Sequence, residues 1–318
     1  MKRILITGAT GQIGSELTIA LRREYGDAAV VAAGHRRRPD TDLLESGPYC
    51  SIDVRDADML HQAVLKYRID TIFHLASMLS AAAEQEPQLA WEINMGGLHK
   101  VLEVARQCHC AVFFPSSIGA FGPGTPLENT PQVTVQRPNT IYGITKIAGE
   151  LMCDYYHHRF GMDIRGLRLP GLISYKTPPG GGTTDYAVEI FYAAITEGRY
   201  RCFLKRDIRL DMMYMPDAIR AMMILMNADG ERLFHRNAYN ITAMNFTPEE
   251  LAAQIRKSIP YFSIEYDVDP IRQAIADSWP RYMDDSAARA EWDWQPHYDL
   301  AATSQAMLAH LAVKLAKS

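Results

Sequence analysis

The sequence predicts an α/β fold: a doubly wound parallel sheet with a smaller C-terminal lobe. Three observations predict it. Short apolar runs alternate with amphipathic helical stretches through the first 170 residues. The apolar runs have almost no polar positions, as strands covered on both faces require. The first run leads straight into Gly8-x-x-Gly11-x-x-Gly14, where a helix begins.

The elements follow in order. Strands are expected at residues 3–7, 29–33, 71–76, 112–116 and 163–169, with a short third strand ahead of Asp53. Helices are expected at 12–23, 59–66, 91–107 and 144–158. Strand–helix alternation of this kind gives a parallel sheet whose ligands sit at the carboxyl ends of the strands. After residue 170 the repeat loosens. "TPPGGGTTDY" (177–186) is a loop by its Gly, Pro and Thr content. A helix follows at 185–196, then strands in "YRCFL" and "LDMMYM", and a helix at 217–226 whose methionines fill core. Thr247 and Pro248 start a further helix as N-cap and first-turn proline. A strand at 262–268, a helix from Asp285-Ser286 and a last helix at 300–315 complete the chain. We divide it into residues 1–170, a dinucleotide-binding Rossmann domain, and 171–318, mostly a substrate-binding lobe with some segments returning to the core.

Composition narrows the class. The chain has 318 residues, 47% hydrophobic and 22% charged, with net charge −4. That is an ordinary globular balance, and it lacks the basic excess expected of a nucleic-acid binder. Five scattered cysteines do not make a disulfide framework. Cys108-x-Cys110 lacks a second pair and zinc spacing, so no metal is expected. No window reaches the ~18 apolar residues of a membrane span, and the amino-terminal run is too short for a signal peptide. A cytoplasmic location with reduced thiols is expected.

The glycine spacing carries the first chemistry. Glycines let the backbone approach a pyrophosphate closely, and the helix start offers free N–H groups and partial positive charge. Gly8, Gly11, Gln12, Ile13 and Gly14 are therefore cofactor candidates. In a NAD site an acid about 20 residues on holds the ribose hydroxyl. Here that place reads Gly34, followed by His35, Arg36, Arg37 and Arg38, which leans toward a 2′-phosphate. Asp53 is a candidate acceptor for the adenine amino group.

"YGITK" (142–146) puts Tyr142 and Lys146 four apart, on one face of a helix. Together with the glycine spacing, "HLAS" (74–77), Asn94 in "INMGG" and "FFPSS" (113–117), it resembles the extended short-chain dehydrogenase/reductase family. "DDSAARAEWDW" (284–294) is similar to the family's usual end. The strings "LRLPGLISYKTPPGGGTTDYAVEIF" (167–191), "MMYMPDAIRA" (212–221), "RQAIADSWP" (272–280) and "LSAAAEQEP" (79–87) resemble the short-chain L-threonine 3-dehydrogenase group within it. The resemblance implies NAD-dependent oxidation of L-threonine at its β-carbon, giving 2-amino-3-ketobutyrate. Gly34 departs from the group's acid and leaves NADP open.

With that reaction in view, Tyr142 is the expected general base. A free phenol titrates near ~10, and a neighbouring ammonium from Lys146 favours the phenolate. Lys146 is also expected to hold the nicotinamide ribose. Ser117, 25 positions before Tyr142 (142 − 117), fits the family's serine, with Ser116 its rival. Val54, Leu75, Ala76 and Leu172 complete the expected cofactor contacts. A small zwitterionic substrate needs polar partners inside a dry pocket. Ser80, Thr183, Thr184 and the backbone of the 180–182 glycines, Gly182 included, are candidates, with Trp279 as a cap and the glycine run as a flap. His74 reads as a packed or cofactor-edge residue, and His157 and His158 as solvated. Rival readings are a nucleotide-sugar epimerase or dehydratase, and a non-catalytic dinucleotide sensor. The "GGGTTDYA" loop lacks the cations a diphosphate would want, and the Tyr/Lys pair speaks against a sensor. The resemblance also implies a homodimer built on helices 91–107 and 142–158.

Overall fold

The computed structural model describes residues 1–178 and 180–316; Pro179 of the glycine-rich loop lies outside them. The first half is built from β1 (Ile4–Thr7), α1 (Gln12–Tyr25), β2 (Val30–Gly34), α2 (Thr41–Glu45), β3 (Tyr49–Ser51), α3 (Ala57–Tyr67), β4 (Thr71–His74), α4 (Ser80–Gln85), α5 (Pro87–Trp91), α6 (Gly97–Cys108), β5 (Ala111–Ser117), α7 (Ile141–Phe160) and β6 (Ile164–Leu169). The second half adds β7 (Gly171–Ile173), α8 (Tyr186–Thr196), β8 (Arg199–Cys202), β9 (Leu210–Tyr214), α9 (Met215–Asn227), β10 (Tyr239–Asn240), β11 (Met244–Phe246), α10 (Pro248–Arg256), β12 (Ser263–Tyr266), α11 (Pro270–Asp277), α12 (Ser286–Trp292) and α13 (Leu300–Leu315).

Seven parallel strands form one sheet in the order β10-β6-β5-β4-β1-β2-β3. Alternate strand residues go to opposite faces. Ile4 and Ile6 join a core with Met213, Met222 and Trp292, whereas Leu5 joins the opposite core with Leu60, Leu98 and Cys153. Both faces are dry, which explains the nearly unbroken apolar strands. The chain runs outward from β1 to β3, then returns to place β4 on the other flank of β1. A crevice opens where the order reverses, at the carboxyl ends of β1 and β4, and such switch points are where open α/β sheets bind ligands.

Beyond residue 170, small sheets β11-β9-β7 and β12-β8 surround a separate core of Phe191, Phe246, Trp279 and Met307. Residues 239–240 return to extend the large sheet beside β6, and α9 packs on α1.

The sequence reading lacks α2, α4 and α11, and two of its expected helices differ in ways that bear on the site. The single helix expected at 91–107 is α5 and α6 joined by a π-turn, Glu92–Gly96. The widened turn aims Asn94 at the chain after β4: its side chain accepts from Met78 N–H (2.8 Å) and donates to Thr145 Oγ1 (3.1 Å). Helix α7 starts three residues early because Thr140 caps it, accepting from Gly143 N–H at 3.1 Å. His157 is not solvated as expected: its Nδ1 donates to the Met162 carbonyl at 2.7 Å, while His158 is exposed.

Thr247 forms a reciprocal capping box. It accepts from Glu250 N–H (3.2 Å), and Glu250 Oε2 accepts from Thr247 N–H (2.9 Å). Thr247→Ala is expected to cost about 1 kcal/mol. Urea unfolding checks this as a lower midpoint at unchanged slope.

Candidate active site

The cradle grows out of β1. Gly8 takes φ +71°, and a Cβ there would lie 2.7 Å from Ala76 N in the chain following β4. A Cβ on Gly14 would lie 2.3 Å from the Gly8 carbonyl oxygen. Gly11 is the N-cap of α1 and supplies no side-chain cap, so the first turn of a 14-residue helix keeps N–H groups for an anion. This close-packed turn, aimed into the crevice, fits a dinucleotide pyrophosphate. Gln12, Ile13, Leu75 and Leu172 line the adjoining cavity, with Ala76 packed on Gly8.

Farther along the carboxyl edge, a side chain at Gly34 would require Tyr49 and Thr10 to shift. A Cβ would lie 2.7 Å from the Tyr49 hydroxyl and 2.8 Å from Thr10 Cγ2. His35 and Arg36–Arg38 are exposed. Asp53 does not present a free carboxylate: Arg55 grips it through Nε (3.1 Å) and Nη2 (2.7 Å), and His35 Nδ1 lies 3.6 Å away. The Arg55 fork holds the Asp53 carboxyl down to about 2. Val54 is buried, within reach of a Cβ on Gly97. His35, Arg36, Asp53 and Val54 do not line the cavity.

Helix α7 and strand β5 bring three polar side chains to that cavity. Tyr142 and Lys146 stand one turn apart, with the Lys146 amine 5.4 Å from the centre of the tyrosine ring. Ser117 ends β5, and its Oγ accepts from Gly119 N–H at 3.1 Å. The ring of Tyr142 rests against Gly119, where a Cβ would come within 3.2 Å of it. Ser116 is committed elsewhere, donating to Glu150. The expected lowering of the phenol is not what the chain's own groups produce. Burial raises Tyr142, and the Ser117 hydroxyl offsets part of that rise. Burial also takes Lys146 down to about 8, with Glu150 and then Cys153 opposing. Its amine donates to the Pro115 carbonyl at 2.7 Å. His74 is buried, hydrogen-bonded to Thr7 at 2.9 Å, and pushed down to about 3 by burial and then by Lys146, so it stays neutral.

The second half closes the cavity. Ser80, at the start of α4, lines it together with Gly182, Thr183, Thr184 and Trp279. Thr183 is 2% exposed and its hydroxyl has no hydrogen-bond partner among the described residues, so it offers an unused polar group. The glycine N–H groups proposed for a substrate carboxylate are already taken. Gly181 N–H (2.7 Å) and Gly182 N–H (2.6 Å) both donate to Asp185 Oδ2. The sequence reading placed Asp185 only at the start of a helix and not against the glycines it accepts from. It also missed Ser77, Leu79 and Ile118 in the lining, which only the packing of three segments reveals. Among the described residues no group of three His, Cys, Asp or Glu could hold a metal, and no helix is long and apolar enough to cross a membrane.

Known proteins resemble the chain over most of its length. The sequence model of the NAD dependent epimerase/dehydratase family matches residues 4–242. An uncharacterised epimerase/dehydratase of Staphylococcus saprophyticus is 52% identical over 308 residues, 97% of this chain and 96% of that protein. Among solved structures, an L-threonine dehydrogenase from Clostridium difficile superposes with TM-score 0.97 at 55% identity, covering 99% of this chain and 98% of that one. The holo form of a GalE-like L-threonine dehydrogenase from Cupriavidus necator gives TM-score 0.94 at 50% identity, covering 97% and 99%.

Proposed function

The chain belongs to the NAD dependent epimerase/dehydratase family, and on that premise we propose that it oxidises L-threonine at the β-carbon hydroxyl to 2-amino-3-ketobutyrate, using NAD. Tyr142 is the general base, Lys146 its cationic neighbour, and Ser117 orients the substrate hydroxyl. The observation that carries the reading is the makeup of one cavity. Tyr142, Lys146 and Ser117 share it with Ser80 and the unpartnered Thr183, and Lys146 is the one Lys or Arg among its described lining residues. A sugar diphosphate would leave its charge unmatched there, whereas a small zwitterion matches short hydroxyls. The solved dehydrogenases of high identity point the same way.

A bound nicotinamide would supply the acceptor for the hydride that leaves the β-carbon. The protein does the rest. The Tyr142 oxygen receives the hydroxyl proton, so it must be phenolate when it acts. Lys146 stabilises that charge and holds a ribose hydroxyl. Ser117 donates to the substrate oxygen and keeps it in line. Ser80, Thr183 and Thr184 orient the amino acid, and Trp279 keeps water out. NAD is favoured over NADP because a catabolic oxidation draws on the dinucleotide pool that cells keep oxidised. The reading also includes a cytoplasmic homodimer. Ile144, Leu151 (63% exposed) and Tyr155 (56% exposed) form an outward apolar stripe on α7 that a second copy would cover.

The test follows the absorbance of reduced nicotinamide with L-threonine and either NAD or NADP. Reduction with NAD and threonine is expected. Absence of reduction with either dinucleotide would overturn the reading, and interconversion of nucleotide sugars without net reduction would favour the epimerase. Faster turnover with NADP would hand the exposed basic run at 35–38 the role of a 2′-phosphate clamp.

A further inference from the structure

We propose that Glu150, one turn beyond Lys146 on α7, is a positioning residue for the reaction: its fixed carboxylate is the counter-charge that keeps the Lys146 amine cationic. The inference rests on the Tyr142–Lys146 reading above and adds a third member to the same ridge. Residues 142, 146 and 150 follow at i, i+4 and i+8, so all three share a face.

Adjacent positions of β5 hold the two charged groups. The Pro115 carbonyl accepts from the Lys146 amine at 2.7 Å, and the next residue, Ser116, donates its hydroxyl to Glu150 Oε1. Glu150 is 3% exposed and Lys146 6%, so water screens little of their attraction. Arg168 of β6 locks the carboxylate from its other side, through Nε (3.1 Å to Oε1) and Nη2 (2.8 Å to Oε2). The remaining guanidinium N–H groups are also occupied, Nη1 donating to the Gln132 carbonyl (2.8 Å) and Asn240 Oδ1 (3.1 Å) and Nη2 to Gln136 Oε1 (3.1 Å). Glu150 is thus ion-paired to Arg168 on one side, and Lys146 is anchored at the neighbouring position of β5.

The other groups around Lys146 do not supply the charge. Tyr142 is raised by burial, His74 from β4 is neutral, and burial pushes the Cys153 thiol well up. Asp154 is not among the groups acting on Lys146, and its carboxylate is reached by Asn237 Nδ2 at 3.5 Å. Glu84 of α4 accepts from Ile141 N–H at the start of the helix (2.7 Å), and Asn94 engages Thr145. Of the groups acting on Lys146, Glu150 is the foremost in favouring the cation against burial. A neutral Lys146 would stop favouring the Tyr142 phenolate. Glu150 thereby acts on the base through the lysine, without touching substrate.

The test reads Lys146 directly. Cyanate carbamylates only a neutral amine, and it can reach Lys146 through the cavity. Labelling against pH, located by peptide mass spectrometry, gives the titration midpoint without needing turnover. In Glu150→Gln the midpoint is expected to fall by about one pH unit or more, a tenfold change in acidity. The alkaline limb of kcat/KM with L-threonine and NAD should move the same way, and Glu150→Asp should restore both. An unchanged midpoint in a folded Glu150→Gln chain, or an equal loss of activity at every pH, would overturn the proposal. If the lone Arg168 charge unfolds that variant, Glu150→Gln with Arg168→Gln gives the same readout: a midpoint below wild type supports the proposal and a wild-type midpoint overturns it. Should wild type fail to oxidise threonine, the assigned function fails, and the labelling shift still decides the role of Glu150.

Discussion

Tyr142→Phe is expected to lower kcat by about 10²- to 10⁴-fold, the usual worth of a positioned general base, while dinucleotide affinity stays close to wild type. The change removes one oxygen. The ring keeps its place against Gly119, and the Lys146 amine keeps its bond to the Pro115 carbonyl. The cradle of Gly8, Gly11 and Gly14 is on a different element and is untouched. Fluorescence titration with the dinucleotide and steady-state kinetics with L-threonine separate the two effects. A kcat within twofold of wild type would remove Tyr142 from the mechanism. The wild-type pH profile carries the same logic with a definite sign. Burial raises the phenol, so the phenolate fraction, and kcat/KM with it, should climb as pH rises from neutrality. The climb should end where Lys146 loses its proton, since a neutral amine no longer stabilises the phenolate.

How much of this was legible in the sequence depends on whether the cause is local. The glycine cradle is one strand, one turn and one helix start, so spacing alone exposed it. Tyr142 and Lys146 sit on a single helix, so their shared face follows from the helical period. Thr247 and Glu250 form their box within four residues, and the composition of the segment pointed to a helix start. Other features depend on register between distant segments. Ser116 meets Glu150 only because β5 packs under α7, and Arg168 joins them only because β6 pairs Arg168 with Ser116. The π-turn at Glu92–Gly96 leaves the apolar pattern of a long helix nearly intact, so periodicity hides it. The capture of the Gly181 and Gly182 N–H groups by Asp185 was local but misread. Glycine runs look like free donors until a nearby carboxylate is seen to face them. At Gly34 a Cβ would meet the side chains of Tyr49 on the neighbouring strand and Thr10 of the turn, contacts that spacing along the chain does not show.

Gly14→Ala is expected to lower stability by about 3 kcal/mol, the upper part of the range for overpacking, and to weaken dinucleotide binding more than tenfold. A Cβ at this position meets only backbone: the Gly8 oxygen at 2.3 Å, Ala9 Cα at 2.7 Å and the Gly8 carbonyl carbon at 2.9 Å. No side chain can rotate out of the way, so the first turn of α1 must lift off the loop after β1. That lift moves the N–H groups that would face a pyrophosphate, and short charge-assisted bonds weaken quickly with displacement. A control lies at the other end of the same helix. Gly26 has φ +91° and ψ 145°, with nothing within 4 Å of a Cβ. Gly26→Ala should therefore cost about 1–3 kcal/mol through backbone strain alone and leave dinucleotide affinity unchanged. Thermal unfolding and dinucleotide titration of both variants separate a general loss of stability from damage to the cradle. Equal loss of affinity in the two would mean that α1 contributes to binding only through the stability of the whole domain, and the pyrophosphate would have to be held elsewhere.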